Sequence, residues 1–280
     1  MLAYRHGFHA GNHGDVLKHL ILAQVLAHMG AKDKPFRYID THAGAGMYLL
    51  ADRFAQTTGE YLQGIARLWD RQDAPPVVAE YLALIRQFNP SGELVQYPGS
   101  PAIAQALLRP QDQMRLFELH SSDHRLLAAH FGHARNTQVV LADGFEALKS
   151  QVPPSTRRAL VLMDPSYELV GDYGKVVAAI RDAVGRFAEG VYMVWYPIVR
   201  RSVSVQLPAR LQRLAKKGWL HASLTLGEPN EEGFGMYGSG VFVINPPYTL
   251  HATLETALPW LRGALGQSER ARYLLEHRAV

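Results

Sequence analysis

Residues 159–163 restrict the fold more than any other part of the sequence, because they form a run of five apolar residues that stops at Asp164-Pro165-Ser166-Tyr167. A short apolar run that is bounded by polar residues and ended by proline is typical of a buried parallel strand. In an open α/β sheet, ligands bind beyond the carboxyl ends of such strands. The pattern therefore predicts a covered parallel sheet with Asp164 at its ligand-binding edge.

The residues after this strand suit the methylation of an exocyclic amine. Asp164 can accept a hydrogen bond from an amino group, and Pro165 keeps the turn stiff and leaves its carbonyl free. Tyr167 offers a ring on which a base can stack. Because Asp-Pro is a common turn dipeptide, an ordinary strand-to-loop turn is the alternative interpretation.

Three other predicted strands, residues 36–40, 114–119 and 137–142, also end near an acid. Since the carboxyl ends of parallel strands meet at one edge of a sheet, we expect the four acids to share a rim. An acid after the second strand is well placed to bind ribose hydroxyls. The four acids are Asp40, Glu118, Asp143 and Asp164.

A glycine-rich turn, residues 41–46, follows the first strand directly. Glycine lets the backbone approach a ligand closely at the start of a helix. A tight structural turn explains the same residues without a ligand. Gly46 is followed by Met47, so the third glycine of the dinucleotide fingerprint is missing and NAD is disfavoured.

The rest of the chain completes a doubly wound pattern. A strand at 191–196 is followed by two strands at 220–226 and 241–244, which are joined by a glycine-rich loop at 233–240 and leave no room for a crossover helix. They should therefore pair antiparallel. Helices are predicted from Asp15 as N-cap and at 102–108, 121–132, 172–187, 205–217 and 250–265.

Seven strands that end in an antiparallel hairpin define the methyltransferase variant of this sheet. We therefore predict an α/β, Rossmann-like, seven-stranded class I methyltransferase fold, with residues 1–280 as one domain. Residues 51–97 interrupt the alternation and are predicted to be a small helical insertion subdomain, with helices at 59–73 and 77–89 on either side of Pro75-Pro76.

The amino-terminal segment is polar, rich in glycine and histidine, and unlike a packed element. We expect its donors to line a cofactor or RNA groove. His9 and His13 suggest zinc, but without cysteine or an HExxH sequence no metal site is predicted.

Composition limits the class of protein. Hydrophobic content of 48% and charged content of 19% exclude disordered, collagenous and membrane classes. The absence of cysteine and of a signal-peptide pattern favours a cytoplasmic protein that does not enter a membrane. A net charge of +4 permits a nucleic-acid partner without requiring one.

A second motif, Asn245-Pro246-Pro247-Tyr248, matches the amino-methyltransferase consensus (Asp/Asn)-Pro-Pro-(Tyr/Phe) more closely by letters. Position favours the Asp164 motif, because the reactive turn belongs after the fourth strand and Asn245 follows the seventh. Asn245 is then predicted to end its strand and to cap the helix at 250–265.

Taken together, these motifs resemble the bacterial 23S ribosomal RNA adenine-N6 methyltransferases of the RlmJ family, over essentially the whole chain. The segments that carry the resemblance are residues 4–6, 8–13, 15–19, 40–46, 97–101, 143–144, 164–168 and 238–240. Ser166 is a departure, because many enzymes with this chemistry carry a second proline at that position. A serine still keeps the turn compact.

The resemblance implies a monomer that uses S-adenosylmethionine to methylate adenine 2030 of 23S ribosomal RNA, in a protein-free or early assembly state. It implies catalytic roles for Asp164, Pro165 and Tyr167, and RNA contacts for Tyr4, Arg5 and His6. The implied cofactor contacts are Lys18, His19, His42, Ser100, Glu118, Asp143, Gly144 and Asp164.

Two alternatives stay open from the sequence. A DNA adenine-N6 methyltransferase would share the chemistry, although residues 51–97 are short for a target-reading domain. A non-catalytic RNA-binding assembly factor would keep the fold, although the intact acids and the Asp164 turn argue against it.

Overall fold

The computed structural model describes residues 4–229 and 235–279, and in these ranges a large mixed sheet organises the chain. Two short strands outside that sheet, Met47–Leu49 and Gln96–Pro98, pair with each other antiparallel. The strands are β1 (Arg37–Asp40), β2 (Met47–Leu49), β3 (Gln96–Pro98), β4 (Gln113–Glu118), β5 (Thr137–Leu141), β6 (Ala159–Met163), β7 (Val191–Ile198), β8 (Trp219–Thr225), β9 (Gly238–Ile244) and β10 (Arg272–Arg278).

The main sheet has eight strands in the order β10-β8-β9-β7-β6-β1-β4-β5 within the described residues. Strands β5, β4, β1, β6 and β7 are parallel, and β9 inserts antiparallel between β7 and β8. This order confirms the predicted class I methyltransferase fold, but the prediction of seven strands is wrong, because β10 adds an eighth strand at the edge next to β8. Gly233 and Phe234 of the predicted glycine-rich loop lie outside the described residues.

Helices cover both faces of the sheet, which explains the apolar run in β6. Leu160 and Leu162 pack into the core beneath α1, α3, α4 and α9, whereas Val161 and Met163 pack into the core beneath α7 and α8. Each β6 side chain thus has an apolar neighbour, as in parallel sheets buried on two sides. The helices are α1 (His13–Gly30), α2 (Arg53–Thr58), α3 (Pro76–Gln87), α4 (Ser100–Leu107), α5 (Ser121–Phe131), α6 (Gly144–Gln151), α7 (Gly171–Arg186), α8 (Ser202–Gln212) and α9 (Leu250–Leu265).

Helix α1 differs from the prediction for the amino-terminal segment. Asn12 caps it, because its side chain accepts from the Asp15 amide at 2.9 Å, and Asp15 lies inside the first turn. His13 to Leu22 are all buried, so this polar segment is a packed element. Apolar spacing therefore does not predict the burial of this segment, because its polar side chains are buried in contact with one another.

The predicted helix at 59–73 is wrong. Helix α2 ends at Thr58, and its C-cap Gly59 adopts a left-handed conformation (φ 62°). Two 3-10 turns follow, at Glu60–Gln63 and Ile65–Arg67. A Cβ on Gly64 would lie 2.1 Å from the Gly11 carbonyl oxygen. The close approach of the amino-terminal segment therefore decides the local backbone, and apolar spacing does not.

The prediction also missed one helix and one edge strand of the main sheet, and it placed the end of another helix too late. Helix α6 was not predicted, although Asp143 and Glu146 have the spacing of a helix start. Helix α8 ends at Gln212, five residues before the predicted end. Strand β10 was not predicted because its edge position leaves almost every side chain exposed. None of the helices in the described part of the chain is long and apolar enough to cross a membrane.

Asn245 ends β9 as predicted, but it does not cap α9. Its side-chain amide donates to the carbonyl oxygens of Ala188 and Gly190, both at 2.7 Å, and its backbone is left-handed (φ 54°). Because β9 runs antiparallel, Ile244 pairs with Tyr192 at the start of β7. The second proline motif therefore lies at the edge of the sheet opposite the Asp164 motif.

We expect Asn245→Ala to lower the free energy of unfolding by about 2–3 kcal/mol, because two hydrogen bonds are lost and alanine resists the left-handed backbone. Asn245→Gly should cost less, since glycine accepts that backbone. Urea unfolding would measure both. Equal losses for the two variants would contradict the backbone contribution.

Candidate active site

A cavity of about 240 Å³ opens at the carboxyl ends of the parallel strands, and most of the predicted site residues line it. Arg5 and Tyr167 are the predicted residues that do not line this cavity. The predicted residues that do are Tyr4, His6, Lys18, His19, His42, Ser100, Glu118, Asp143, Gly144, Asp164 and Pro165.

Glu118, at the end of β4, is held by the backbone on either side of it. Its Oε2 accepts from the Gly44 amide at 2.8 Å and its Oε1 accepts from the His120 amide at 2.6 Å. Burial raises the pKa of the Glu118 carboxyl above its ordinary value, and the two amides partly offset that effect. The carboxylate keeps further acceptor capacity toward the cavity, which suits a diol.

The loops after β1 and β5 meet without side chains between them. A Cβ on Gly144 would lie 1.8 Å from the Thr41 carbonyl oxygen, so only glycine fits. Asp143 caps α6 by accepting from the Phe145 amide at 2.8 Å. The Phe145 ring contacts His42 edge-on, with ring centroids 4.7 Å apart. This apolar and aromatic wall can flank a purine ring.

Asp40 does not share the rim with the other three acids, which corrects the expectation from the sequence. It is fully buried and accepts from Ser100 Oγ and Tyr38 Oη, both at 2.7 Å, and from the His42 amide at 3.2 Å. Burial raises the pKa of the Asp40 carboxyl, and these hydrogen bonds partly offset the rise. Asp40 therefore joins the turn after β1 to α4, and the Ser100 hydroxyl is the group on α4 that donates to it.

Lys18 links two carboxylates across the floor of the site. Its Nζ forms an ion pair with Asp15 Oδ1 at 2.8 Å and donates a hydrogen bond to Asp164 Oδ2. Burial alone would lower the pKa of Lys18, but the two carboxylates outweigh it and hold that pKa above its ordinary value. Lys18 is therefore an ammonium group that fixes one oxygen of Asp164.

Asp15 was predicted to be a helix cap and is instead the centre of a buried polar network. Besides Lys18, its carboxylate accepts from the Gly11 amide at 2.9 Å and contacts His6 Nε2 at 2.9 Å. Burial opposes ionisation, yet the nearby His6 and Lys18 hold the pKa of Asp15 well below its usual range. The spacing of Asp15 and Lys18, one helical turn apart, is the sequence signal that could have identified the pair.

The Asp164 turn presents Pro165 to the cavity and turns Tyr167 away from it. Tyr167 adopts a left-handed backbone (φ 54°), its hydroxyl donates to the Trp195 carbonyl at 2.7 Å, and its ring is 3% exposed beside Tyr173. In this conformation Tyr167 forms part of the wall and offers no open stacking face.

The three predicted RNA contacts divide between two surfaces. Tyr4 Oη lies 2.9 Å from His6 Nδ1, and both residues line the cavity. Arg5 points toward α5, where it donates to Ser122 Oγ at 2.6 Å and pairs with Asp123 at 3.4 Å. Arg5 therefore anchors the amino-terminal segment beside the site.

Two histidines near the site have hydrogen-bond partners within the protein. His9 contacts Glu60 at 2.8 Å and His19 Nδ1 contacts Tyr97 Oη at 2.8 Å. His19 lines the first cavity, and its Nε2 is buried 3.9 Å from Asp15 Oδ1 without a hydrogen-bond partner. Among the described residues, no three histidine, aspartate or glutamate side chains are grouped to hold a metal ion.

A second and larger cavity, which we call the lateral cavity, adjoins the first. Its volume is about 740 Å³. It shares with the first cavity a boundary that contains Lys18 and Asp164. The other shared residues are Tyr4, His6 and Ser166. Asp164 is thus accessible from two sides.

We expect stability to fall as the pH decreases from 6.5 to about 4. Burial lowers the pKa of His13, His42 and His221 from 6.5 to about 4, so in this window the unfolded chain binds protons that the folded chain does not. Each histidine contributes up to about 3 kcal/mol above this window, and that contribution is lost as the pH falls through it.

The raised pKa values of Asp40 and Glu118 act in the opposite direction, so the test compares variants. His221 lies far along the sheet on β8, where its Nε2 contacts Tyr196 Oη at 2.7 Å. The melting temperature of His221→Gln should depend less steeply on pH than that of the wild type. Parallel curves would contradict the assignment.

Known proteins with similar sequence and structure extend over almost the whole chain. Residues 33–277 match the family described as "Ribosomal RNA large subunit methyltransferase D, RlmJ". The chain is 46% identical over 265 residues to "Ribosomal RNA large subunit methyltransferase J" of Escherichia coli, with 95% of this chain and 94% of that protein covered. It is 44% identical over 266 residues to the protein of the same name from Haemophilus influenzae, with the same coverage. A crystal structure of a Legionella pneumophila protein superposes with a TM-score of 0.89 at 35% identity, covering 96% of this chain and 98% of that one.

Proposed function

The chain belongs to the RlmJ family of ribosomal RNA large subunit methyltransferases, and we propose that it methylates N6 of an adenine in 23S ribosomal RNA with S-adenosylmethionine as methyl donor. The observation that supports the proposal is the position of Asp164, which lines both the first cavity, where the cofactor would bind, and the larger lateral cavity, where the substrate would bind. The target is adenine 2030 by resemblance to the family.

The first cavity has the donors and acceptors that the cofactor requires. S-adenosylmethionine, when bound, supplies a methyl group that is activated on a sulfonium. Glu118 would bind the ribose hydroxyls, and the Asp143-Gly144 turn with Phe145 would flank the adenine. Lys18, His19, His42 and Ser100 would line the remainder. The bare backbone at Gly144, where a Cβ would meet the Thr41 carbonyl oxygen, supports this fit.

Asp164 and Pro165 would orient the amine. The lone pair of an adenine amino group is delocalised into the ring, so the nitrogen is a poor nucleophile. The Asp164 carboxylate and the Pro165 carbonyl, accepting from its two N–H bonds, favour a pyramidal nitrogen and stabilise its developing positive charge. Lys18 binds Asp164 Oδ2, which leaves Oδ1 as the acceptor.

The target adenine would enter from the lateral cavity. An enzyme that acts on a base must take it out of the stack, and Tyr4 and His6 stand at the boundary where such a base would arrive. The Tyr167 hydroxyl donates to the Trp195 carbonyl, and this hydrogen bond would hold the turn that carries Asp164 in place. The catalytic unit is then Asp164 with Pro165, and Tyr167 is a positioning residue.

We extend the proposal to a monomeric cytoplasmic enzyme that acts on protein-free or early-assembly 23S RNA. Residues 1–280 form one methyltransferase domain in this proposal, and 51–97 form its insertion subdomain. Transfer of a radiolabelled methyl group to protein-free 23S RNA, with mapping of the modified nucleotide, tests it. Preferential labelling of DNA would favour a DNA methyltransferase, and no labelling of either would favour an assembly factor.

Glu118→Ala should weaken S-adenosylmethionine binding by about tenfold to a hundredfold, because charged hydrogen bonds to the ribose contribute about 1.5–3 kcal/mol. Isothermal titration calorimetry would measure the dissociation constant. Glu118→Gln is the matched control, since its amide oxygen can still accept from one of the two backbone amides. Unchanged cofactor affinity in the alanine variant would remove Glu118 from the site.

Asp164→Ala should reduce turnover by about a hundredfold to a thousandfold or more, because the amine loses the acceptor that orients it. Asn245→Ala, at the opposite edge of the sheet, should keep most of the activity. Both variants would be checked for folding and then assayed at saturating cofactor. An inactive, folded Asn245→Ala protein beside an active Asp164→Ala protein would move the reaction to the second motif.

A further inference from the structure

The lateral cavity is larger than one target base requires. Its volume is about 740 Å³, against about 240 Å³ for the cavity proposed to hold an adenine, a ribose and a methionine together. We call the part that borders the first cavity, at Lys18 and Asp164, its inner end, and the part lined by residues that do not line the first cavity its outer part. The outer part therefore has room for more of the substrate than the base that is methylated.

Two adjacent arginines line the lateral cavity and do not line the first cavity, so we assign them to its outer part. Arg200 and Arg201 follow β7, and the Arg201 guanidinium is directed by a hydrogen bond from Nη1 to the Tyr167 carbonyl at 3.2 Å. Both side chains are exposed. Within the residues that the structure describes, neither forms a salt bridge. Arginine presents a fork of N–H donors that matches the oxygens of a phosphate.

The lateral cavity is also lined by residues that carry buried polar atoms without partners. His13 is 7% exposed, and its Nδ1 has no hydrogen-bond partner. The indole N–H of Trp195, which lines the same cavity, is also buried and unpartnered. Burial lowers the pKa of His13 to about 4, so its imidazole is neutral and can both donate and accept. The exposed Gln63 adds a side-chain amide to this lining.

Polar atoms that stay buried without partners are uncommon and call for a reason. A nucleobase offers donors and acceptors along its edge, and its phosphate offers the negative charge that would pair with the arginines. When a nucleotide is drawn out of an RNA helix, its neighbours also move toward the enzyme. The phosphate-binding arginines and the base-binding polar groups are therefore both expected within one nucleotide of the target.

We propose that the outer lateral cavity is a second nucleotide subsite, in which Arg200 and Arg201 hold the phosphate beside the target adenosine and His13 and Gln63 bind the neighbouring base. This inference rests on the proposed function, because it takes Asp164 as the position of the target. The base next to the methylated adenine would then contribute to substrate specificity.

The phosphate contact is tested by the salt dependence of RNA binding. The double variant Arg200→Ala/Arg201→Ala should bind a protein-free 23S RNA fragment about tenfold more weakly near physiological salt. The slope of log affinity against log salt concentration should become shallower by about 0.7 for each phosphate that the variant no longer neutralises. Arg213→Ala, an exposed arginine at the other end of α8, is the matched control and should behave like the wild type.

The base contact is tested with an RNA in which one neighbour of the target is abasic. The wild type should lose about tenfold in kcat/KM for one of the two neighbours. Gln63→Ala should distinguish the abasic from the intact RNA much less, and because Gln63 is exposed this variant should fold normally. Cofactor affinity should be unchanged in every variant.

An unchanged salt slope in the double arginine variant, or equal kcat/KM for both abasic RNAs and the intact RNA, would overturn the subsite. The proposed function fails separately, if the wild type binds the RNA but transfers no methyl group to it. Under that outcome the salt slope still decides whether the arginines hold a phosphate.

Discussion

The site depends on the ion pairs of Lys18, which join the buried carboxylate of Asp15 to the partly exposed carboxylate of Asp164. Lys18 is 3% exposed, and it joins a helix at the start of the chain to a strand end more than a hundred residues later. Removing one partner of a buried ion pair leaves an uncompensated charge and costs about 3–5 kcal/mol. An intact buried ion pair adds little stability compared with apolar residues of similar volume, so its main effect is to position the groups that it joins. It fixes the orientation of the Asp164 carboxylate.

The same helix also determines the shape of the surrounding loops. Asn12 caps α1 and donates to Glu60 Oε2 at 2.8 Å, and the Ile65 amide donates to the Gly11 carbonyl at 2.8 Å. These bonds draw residues 60–67 against the amino-terminal segment. The position at which α1 begins therefore also positions Thr58, Gly59, Glu60 and Gln63, which line the lateral cavity although they belong to the segment between β2 and β3.

The sequence predicted the parallel strands well because burial on two faces requires continuous apolar residues. It also predicted which strand-end residues meet, since Glu118, Asp143 and Asp164 reach one cavity. It failed where tertiary contacts decide the backbone. Periodicity cannot show that Gly64 must pass within 2.1 Å of another backbone, or that the exposed residues of β10 pair with β8.

Buried polar residues were the other source of error, because their partners are distant in the sequence. Asp40 was expected at the rim and instead bonds Ser100 and Tyr38 beneath it. The spacing of a strand end places an acid at the correct edge of the sheet, but the direction of its side chain depends on which donors surround it. A buried acid with several donors becomes structural, whereas Glu118 keeps acceptor capacity toward the cavity.

Strand direction explains why the two proline motifs are not equivalent, although the Asn245 motif matches the consensus more closely. Strand β6 is parallel to β1, so its carboxyl end delivers Asp164 to the edge where the glycine-rich turn also lies. Strand β9 is antiparallel to β7, so its carboxyl end delivers Asn245 to the other edge, where it binds the carbonyls that precede β7. A motif of this kind can act chemically only where the sheet also supplies a cofactor cavity, and topology satisfies that condition for Asp164 alone of the two.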